Sequence, residues 1–317
     1  MSSSIGVLTA VFAVVLIVLL PLRTMQYYND IEGGTGFYKE INPAVILSLA
    51  LLAVGVIACI AVAFISRKAM KLSFVKEKNI GCGAFSAFLA LGAAVDGLTC
   101  LNHVLNLGLS FLPVPQYPDF LPSSETVMRL EAIFAFISAV FFILCAVEFF
   151  SGRSCGEKLR LLSLSPVVWS VLRIVYRFTI TISYIRVSQL ALEMFMLIFF
   201  VLFFMAYAQV NSKVNAKGLD WKIAGYGFPA VLLGLLSFVP QAIIFISGRS
   251  DLLYIYSVPC LCDAAAALFI LAVILTRLNI GSEVDETIEI PADASIPADE
   301  AESDGSTEAA EQEEEAE

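Results

Sequence analysis

Charged side chains are scarce in this sequence: Asp, Glu, Lys and Arg make up 15% of its 317 residues, while 59% are hydrophobic. Soluble globular domains carry about a quarter charged residues. The deficit is concentrated in uninterrupted apolar runs, and a membrane-spanning helix needs about 20 such residues. The shortage of charge therefore argues against a soluble globular protein and predicts an all-α, polytopic integral membrane protein.

Histidine is almost missing, because His103 is the single one, and no lysine lies inside an apolar run. One imidazole excludes bis-His haem ligation within the chain and a His-rich metal centre. The lack of an intramembrane lysine excludes a retinal-type Schiff base. The motifs H-E-x-x-H, G-x-S-x-G and Walker A do not occur. We therefore predict no cofactor, no metal site and no catalytic residues, and an enzyme is the least favoured function class.

Basic residues are missing after Arg277, where residues 278–317 hold 15 of the 29 acidic residues. The rest of the chain has 14 acidic and 19 basic residues, so the net charge of −10 originates in the tail. A segment rich in Ala, Glu, Asp and Ser buries too little apolar surface to fold. We predict a transmembrane helical domain over residues 1–277 and a disordered acidic cytoplasmic tail over residues 278–317, with no nucleic-acid partner.

Eight apolar runs are long enough to be spans, at roughly residues 5–22, 44–65, 82–101, 128–150, 165–183, 187–209, 223–247 and 253–276. The fifth contains Arg173 and Arg177, and it can also be an amphipathic helix lying on the membrane. With eight spans, twelve basic residues fall on the cytoplasmic side and five on the external side. This positive-inside bias favours eight transmembrane helices with both termini inside (N-in/C-in) in a cytoplasmic membrane.

Polar side chains inside the spans lie mostly in their external halves. Each one costs a few kcal/mol on insertion scales, so it needs a partner or water. Glu131 is near a span end, where a long side chain can reach the interface. We predict an outward-facing polar cavity, with structural ion pairs as the alternative. Its candidate intramembrane residues are Asp96, Arg173, Arg177, Glu193, Gln241 and Asp263.

The fifth run places its polar side chains on one helical face, because they recur at spacings of three, four and seven. This face contains Trp169, Arg173, Tyr176, Arg177, Thr181 and Tyr184. The two guanidinium groups suit either acidic counter-ions from other spans or an anionic ligand such as a carboxylate or phosphate. The spacing does not decide between these alternatives.

The seventh and eighth runs contain residues with special packing properties. Pro229 and Pro240 predict a kink in the seventh, which makes it a candidate moving element. The four alanines at 264–267 predict a close helix contact in the eighth.

The stretch YYNDIEGGTGFY at residues 27–38 joins the first two spans. Its glycines permit a tight turn, and its aromatic rings prefer the membrane interface. Because it lies on the predicted external side, it can form the rim of the cavity. The candidate rim residues are Asp30, Thr35, Gly36, Phe37 and Tyr38.

The segment LPLRTMQYYNDIEGGTGFY resembles a pattern in uncharacterised multi-pass membrane proteins of Gram-positive, clostridial-type bacteria. The matching positions are Leu22, Arg23, Thr24, Asp30, Glu32, Thr35, Gly36, Phe37 and Tyr38. The stretches SPVVWSVLRIVYRF and FFVLFFMAYAQV are similar to that group as well. The resemblance implies a bacterial cell membrane and carries no activity and no site residues.

Two function classes follow from these observations. The first is a small-solute or ion transporter, or a subunit of one, with the intramembrane residues in a polar pathway. The second is a non-transporting sensor or scaffold, whose external loop receives a small-molecule or protein ligand. The cytoplasmic halves of the predicted spans are apolar, which favours the second class. Two arginines near the middle of the membrane cost insertion free energy, and a scaffold has no need of them. In both classes the lipid bilayer is a partner.

Overall fold

The computed structural model describes residues 3–32, 38–68, 78–109, 122–152, 160–179, 187–212, 218–249, 252–253 and 260–286. Over these ranges the chain is helical, apart from short turns and one isolated bridge between Ile31 and Tyr38. The α-helices are α1 (Ser3–Asn29), α2 (Pro43–Ile65), α3 (Ile80–Leu105), α4 (Pro122–Ser151), α5 (Ser165–Thr179), α6 (Val187–Asn211), α7 (Leu219–Ile246) and α8 (Leu261–Glu286). Each predicted span overlaps one of them.

Six of these helices are long and apolar enough to cross a membrane: α1, α2, α3, α4, α6 and α7. The described part of α5 has 15 residues, and the apolar part of α8 is the shorter stretch Leu261–Thr276. The predicted all-α class of multi-pass membrane protein is therefore confirmed. The number of eight spans and the N-in/C-in orientation stay predictions.

Six helices form a closed cycle of contacts. Helix α3 packs on α4, α4 on α5, α5 on α6, α6 on α7, α7 on α8, and α8 returns to α3. Helices α1 and α2 pack on each other and both pack on α7, so they lie beside this ring. Neighbouring helices in the ring are antiparallel, so residues near the end of one helix lie beside residues near the start of the next.

Small residues permit close approach at two of the ring contacts. A Cβ atom added at Gly92 of α3 would lie 3.1 Å from the Cα atom of Cys262 in α8. One added at Gly234 of α7 would lie 2.9 Å from the Cβ atom of Ala267. The alanines at 264–267 are all buried, so the predicted close contact of this run is confirmed.

Aromatic side chains fill one half of the ring, which we call the aromatic half. The Phe142 ring lies 5.4 Å from that of Phe269 and 5.8 Å from that of Phe204, measured between centroids. Tyr207 stacks on Phe203 at 6.0 Å. The edge and tilted geometries are those that aromatic pairs prefer. They leave this half apolar and closely packed.

Several predicted boundaries differ from the structure, and helix α8, for example, begins at Leu261 rather than 253. Helix α1 continues past residue 22 to Asn29, because Arg23 is buried and finds hydrogen-bond partners there. Helix α4 begins at Pro122 rather than 128, since proline is well tolerated in a first turn. Helix α8 continues to Glu286, so residues 278–286 of the predicted tail are helical, and residues 287–317 lie outside the described residues.

Candidate functional site

Helix α5 turns its polar face towards the interior of the bundle. Its buried side chains include Trp169, Ser170, Arg173, Tyr176 and Arg177, whereas Val171, Val175 and Phe178 are exposed. A helix lying on a membrane surface turns its polar face to water instead. The arrangement fits a helix embedded in the bundle with its apolar face towards lipid. Thr181 and Tyr184, predicted for the same face, lie outside the described residues.

Two ion pairs connect α5 to neighbouring helices. The Nη1 atom of Arg173 lies 2.7 Å from Oδ1 of Asp263 in α8. The Nε atom of Arg177 lies 3.4 Å from Oε2 of Glu193 in α6. All four residues are at most 7% exposed. The structure therefore brings four of the six predicted site residues together as counter-ions.

Asp96 of α3 joins the same group through an aromatic residue. The indole Nε1–H of Trp169 donates a hydrogen bond to Oδ2 of Asp96 at 3.1 Å. The guanidinium of Arg173 lies over the Trp169 ring, 5.3 Å from its centroid, which is a cation–π contact. Trp169 thus touches both a carboxylate and the cation that pairs with Asp263.

Glu131 of α4 is the residue that the sequence interpretation missed. It is 4% exposed, and its Oε2 atom has no hydrogen-bond partner in the described part of the chain. Its carboxylate is near enough to Asp96, Arg173, Arg177 and Asp263 for appreciable electrostatic interaction. The interpretation as an interfacial side chain is therefore wrong. Its helical spacing from Met128 and Ala135, which are also buried, is the signal that predicts an inward position.

These six side chains form what we call the charge cluster: Asp96, Glu131, Arg173, Arg177, Glu193 and Asp263. It contains four carboxyl groups and two guanidinium groups. With one ion pair for each arginine, two carboxyl groups remain without a cationic partner among the residues described. The cluster lies at the end of the ring opposite to the aromatic half.

Gln241, the sixth predicted residue, belongs to a network of amide and hydroxyl groups beside the charge cluster. Its Nε2–H donates to the Tyr27 hydroxyl at 3.4 Å, and that hydroxyl donates to Oε1 of Gln189 at 2.6 Å. The Gln189 amide in turn donates to Ser237 at 2.9 Å and to Glu193 at 3.1 Å. Gln189 therefore connects this network to the charge cluster.

Arg23 extends the network to α1 and α2. Its Nη1 group donates to Gln26 at 3.0 Å and to the Tyr38 hydroxyl at 2.8 Å, and its Nη2 group donates to Gln189 at 3.3 Å. Gln26 donates to Ser48 of α2. The predicted first span ends at residue 22, just before Arg23, and no local pattern indicates that Arg23 pairs with Gln189 of α6.

The predicted rim is described in part. Tyr38 reaches inwards to Arg23, and the backbone carbonyl of Asp30 accepts from the Lys39 amide at 2.7 Å. Tyr27 and Ile31 pack with Ile244 at the end of α7. Thr35, Gly36 and Phe37 lie outside the described residues.

A cavity of about 400 Å³ lies between α1, α2, α6 and α7. Its walls are largely apolar, and its polar lining consists of Arg23, Gln26 and Ser48. The predicted polar cavity was assigned to other helices, α3 and α5 to α8, where the described side chains pair with one another. A polar cavity around the charge cluster stays a prediction.

Comparison with protein-family models, curated proteins and solved structures finds no match. The resemblance to clostridial-type membrane proteins stays a prediction.

The cysteines near the charge cluster are free thiols: Cys100, Cys260 and Cys262. Within the described ranges, no group of three His, Cys, Asp or Glu side chains is placed to hold a metal ion.

Proposed function

We propose that this chain is a membrane transporter that carries or is coupled to a cation, in the simplest case a proton, through the charge cluster. Glu131 is the carboxyl group that takes up the cation. The observation that supports this is its burial, at 4% exposure, without a hydrogen-bond partner for Oε2 in the described ranges.

The pairing of the arginines favours a cation over an anion. Arg173 already donates to Asp263, and Arg177 already donates to Glu193. An anionic ligand would have to displace a carboxylate from a buried pair, and breaking such a pair costs about 3–5 kcal/mol. A cation has no such competitor, because the charge cluster has more carboxyl groups than guanidinium groups.

A buried carboxylate without a counter-ion is strongly unfavourable in a low-dielectric interior. Binding a proton removes its charge, and binding a small cation compensates it. Acidic residues that face the interior of a membrane bundle mark proton and ion pathways in many transporters. Glu131 has this position, since it faces the charge cluster from α4.

Passage to the other side requires a change in the aromatic half, where the rings of α4, α6 and α8 are in contact. Helix α7 contacts α1, α2, α6 and α8, and it contains Pro229 and Pro240 within its length. Proline removes backbone hydrogen bonds and so weakens a helix locally. We propose α7 as the element that moves.

The test uses the purified chain in liposomes that contain a pH-sensitive dye, with an inside-negative potential imposed by potassium and valinomycin. The experiment is run with and without a panel of small organic cations outside. We expect faster internal acidification than in protein-free liposomes, and we expect Glu131→Gln to lose at least about tenfold in rate, since a neutral amide cannot hold the proton.

Glu148→Gln is the matched control, because Glu148 lies on the same helix towards the opposite end. It should keep the rate of the unsubstituted chain. The proposal is wrong if the unsubstituted chain does not exceed protein-free liposomes under any condition, or if correctly folded Glu131→Gln keeps the full rate.

A sensor or scaffold is the second candidate. Two observations favour it. The residues of the two ion pairs in the charge cluster are at most 7% exposed, and the aromatic half is closely packed. The liposome experiment separates the two classes, because a sensor gives no flux in any variant.

A further inference from the structure

The cavity between α1, α2, α6 and α7 opens towards the surroundings of the bundle, and we call it the side groove. Leu49, Ile57 and Phe195 along its edge are 50%, 64% and 58% exposed. Leu192 and Leu236 form buried parts of its wall. Its volume of about 400 Å³ is within the range of about 300–1,000 Å³ for sites of small molecules. An apolar molecule can therefore enter from the lipid side.

One end of the side groove is polar and positively charged. Arg23 is 8% exposed, and its Nε atom has no hydrogen-bond partner among the residues described. Its other nitrogens donate only to neutral groups, those of Gln26, Tyr38 and Gln189. No described carboxylate lies within 4 Å of it. A buried cation without a counter-ion is costly, so this end is suited to an anion.

The length of the side groove matches one leaflet of a bilayer. Ser48 at the polar end and Ile57 at the apolar end are both on α2, and nine residues of helix span about 14 Å. Half of the hydrocarbon core of a bilayer is about 15 Å. A chain that extends along the groove from Arg23 therefore has the length of an acyl chain.

We propose that the side groove binds an anionic phospholipid of the surrounding bilayer, with its phosphate on Arg23 and one acyl chain along α2 and α6. The free Nε–H of Arg23 and the neighbouring Nη2–H are on the same side of a guanidinium, and such a fork suits a phosphate. A neutral apolar molecule leaves the cation unpaired. A small inorganic anion leaves the apolar wall uncovered.

This site is separate from the charge cluster. Among the described residues, Arg23 is connected to it through the neutral Gln189 side chain, and the wall of the side groove includes none of the six charged residues of the cluster. Lipid binding can therefore succeed or fail independently of cation transport.

The test is native mass spectrometry of the full chain released from nanodiscs of either phosphatidylglycerol or phosphatidylcholine. We expect one phosphatidylglycerol molecule to stay bound. Phosphatidylcholine should be retained at least about tenfold less, which corresponds to about 1.4 kcal/mol in binding free energy. Arg23→Gln should remove this preference while apolar binding continues. A third nanodisc with added oleate tests whether a fatty acid replaces the phospholipid.

Ala53→Phe fills the side groove without changing Arg23, because Ala53 is exposed and lines it. We expect it to lose the retained lipid. Val54→Phe is the matched control, since Val54 is on the same helix, 62% exposed and outside the lining. Should Arg23→Gln fail to fold, this pair of variants still decides whether lipid occupies the groove.

Three results overturn the proposal. The first is equal retention of the two lipids by the unsubstituted chain. The second is full retention in Ala53→Phe. The third is displacement of the phospholipid by oleate, or by inorganic phosphate added to the phosphatidylglycerol nanodiscs in a parallel sample, which would identify the source of the anion as a fatty acid or a free ion.

Discussion

The ion pair between Arg173 and Asp263 joins two buried side chains that are 90 positions apart in the chain. Asp263→Leu leaves the guanidinium without its counter-ion, and removing one partner of a buried pair costs about 3–5 kcal/mol. We expect a clear fall in the midpoint of thermal unfolding, measured in detergent. Replacing both residues, as Arg173→Met with Asp263→Leu, should recover most of the loss, because no unpaired charge remains.

Arg129→Gln is the control for this experiment. Arg129 pairs with Glu125 within α4, but the two side chains are 58% and 46% exposed, and an exposed pair contributes only about 0–1 kcal/mol. If Asp263→Leu melts at the temperature of the unsubstituted chain, the pair does not stabilise the fold.

The depth of these residues is predictable from the sequence, whereas their partners are not. Counting the rise of each helix places Arg173, Glu193 and Asp263 away from the cytoplasmic ends of their predicted spans. The pairing of Arg173 with Asp263 depends on how α5 and α8 are rotated about their axes, and no local pattern reports this. Arg23 shows the same limit, because Gln189 lies 166 positions away.

At the scale of helices, the contact between α7 and α8 depends on Gly234. A Cβ atom added at this position would lie 2.9 Å from the Cβ atom of Ala267, so Gly234→Leu forces the two helices apart. Overpacking of this kind costs about 1–3 kcal/mol. We expect a lower midpoint of thermal unfolding, measured in detergent.

Ile243→Phe adds volume on the same helix at a position that is 42% exposed. It should leave the unfolding midpoint unchanged. Equal behaviour of the two variants would mean that the contact between α7 and α8 tolerates a larger separation.

Helix positions follow from the sequence more closely than helix ends. Every apolar run predicted a helix, because a buried or lipid-facing helix requires long apolar stretches. The end of α1 at Asn29 is not predictable, since charge normally ends a span, whereas Arg23 is buried here by hydrogen bonds to Gln26 and to Gln189 of α6. Pro122 likewise begins α4 six residues before the predicted start at 128, because proline is tolerated in the first turn of a helix.

At the scale of the whole molecule, the ring explains why the polar groups of many helices meet. Asp96 is near the end of α3 and Glu131 near the start of α4, and the same alternation continues to Asp263 near the start of α8. Antiparallel neighbours therefore place these groups at one end of the bundle and the rings of the aromatic half at the other. The sequence predicts this separation by depth, and it does not predict which helix closes the ring.

Closure of the ring between α3 and α8 is testable with one new thiol. A Cβ atom at position 92 lies 3.6 Å from the Cβ atom of Cys262, within the range of about 3.5–4.5 Å for a disulfide. We expect Gly92→Cys to form this bond on mild oxidation, seen as a cross-linked peptide by mass spectrometry. Leu91→Cys is the control, because Leu91 is 58% exposed and should give no such peptide. Free thiols at both positions after oxidation of Gly92→Cys would mean that α3 and α8 are not neighbours and that the ring is open.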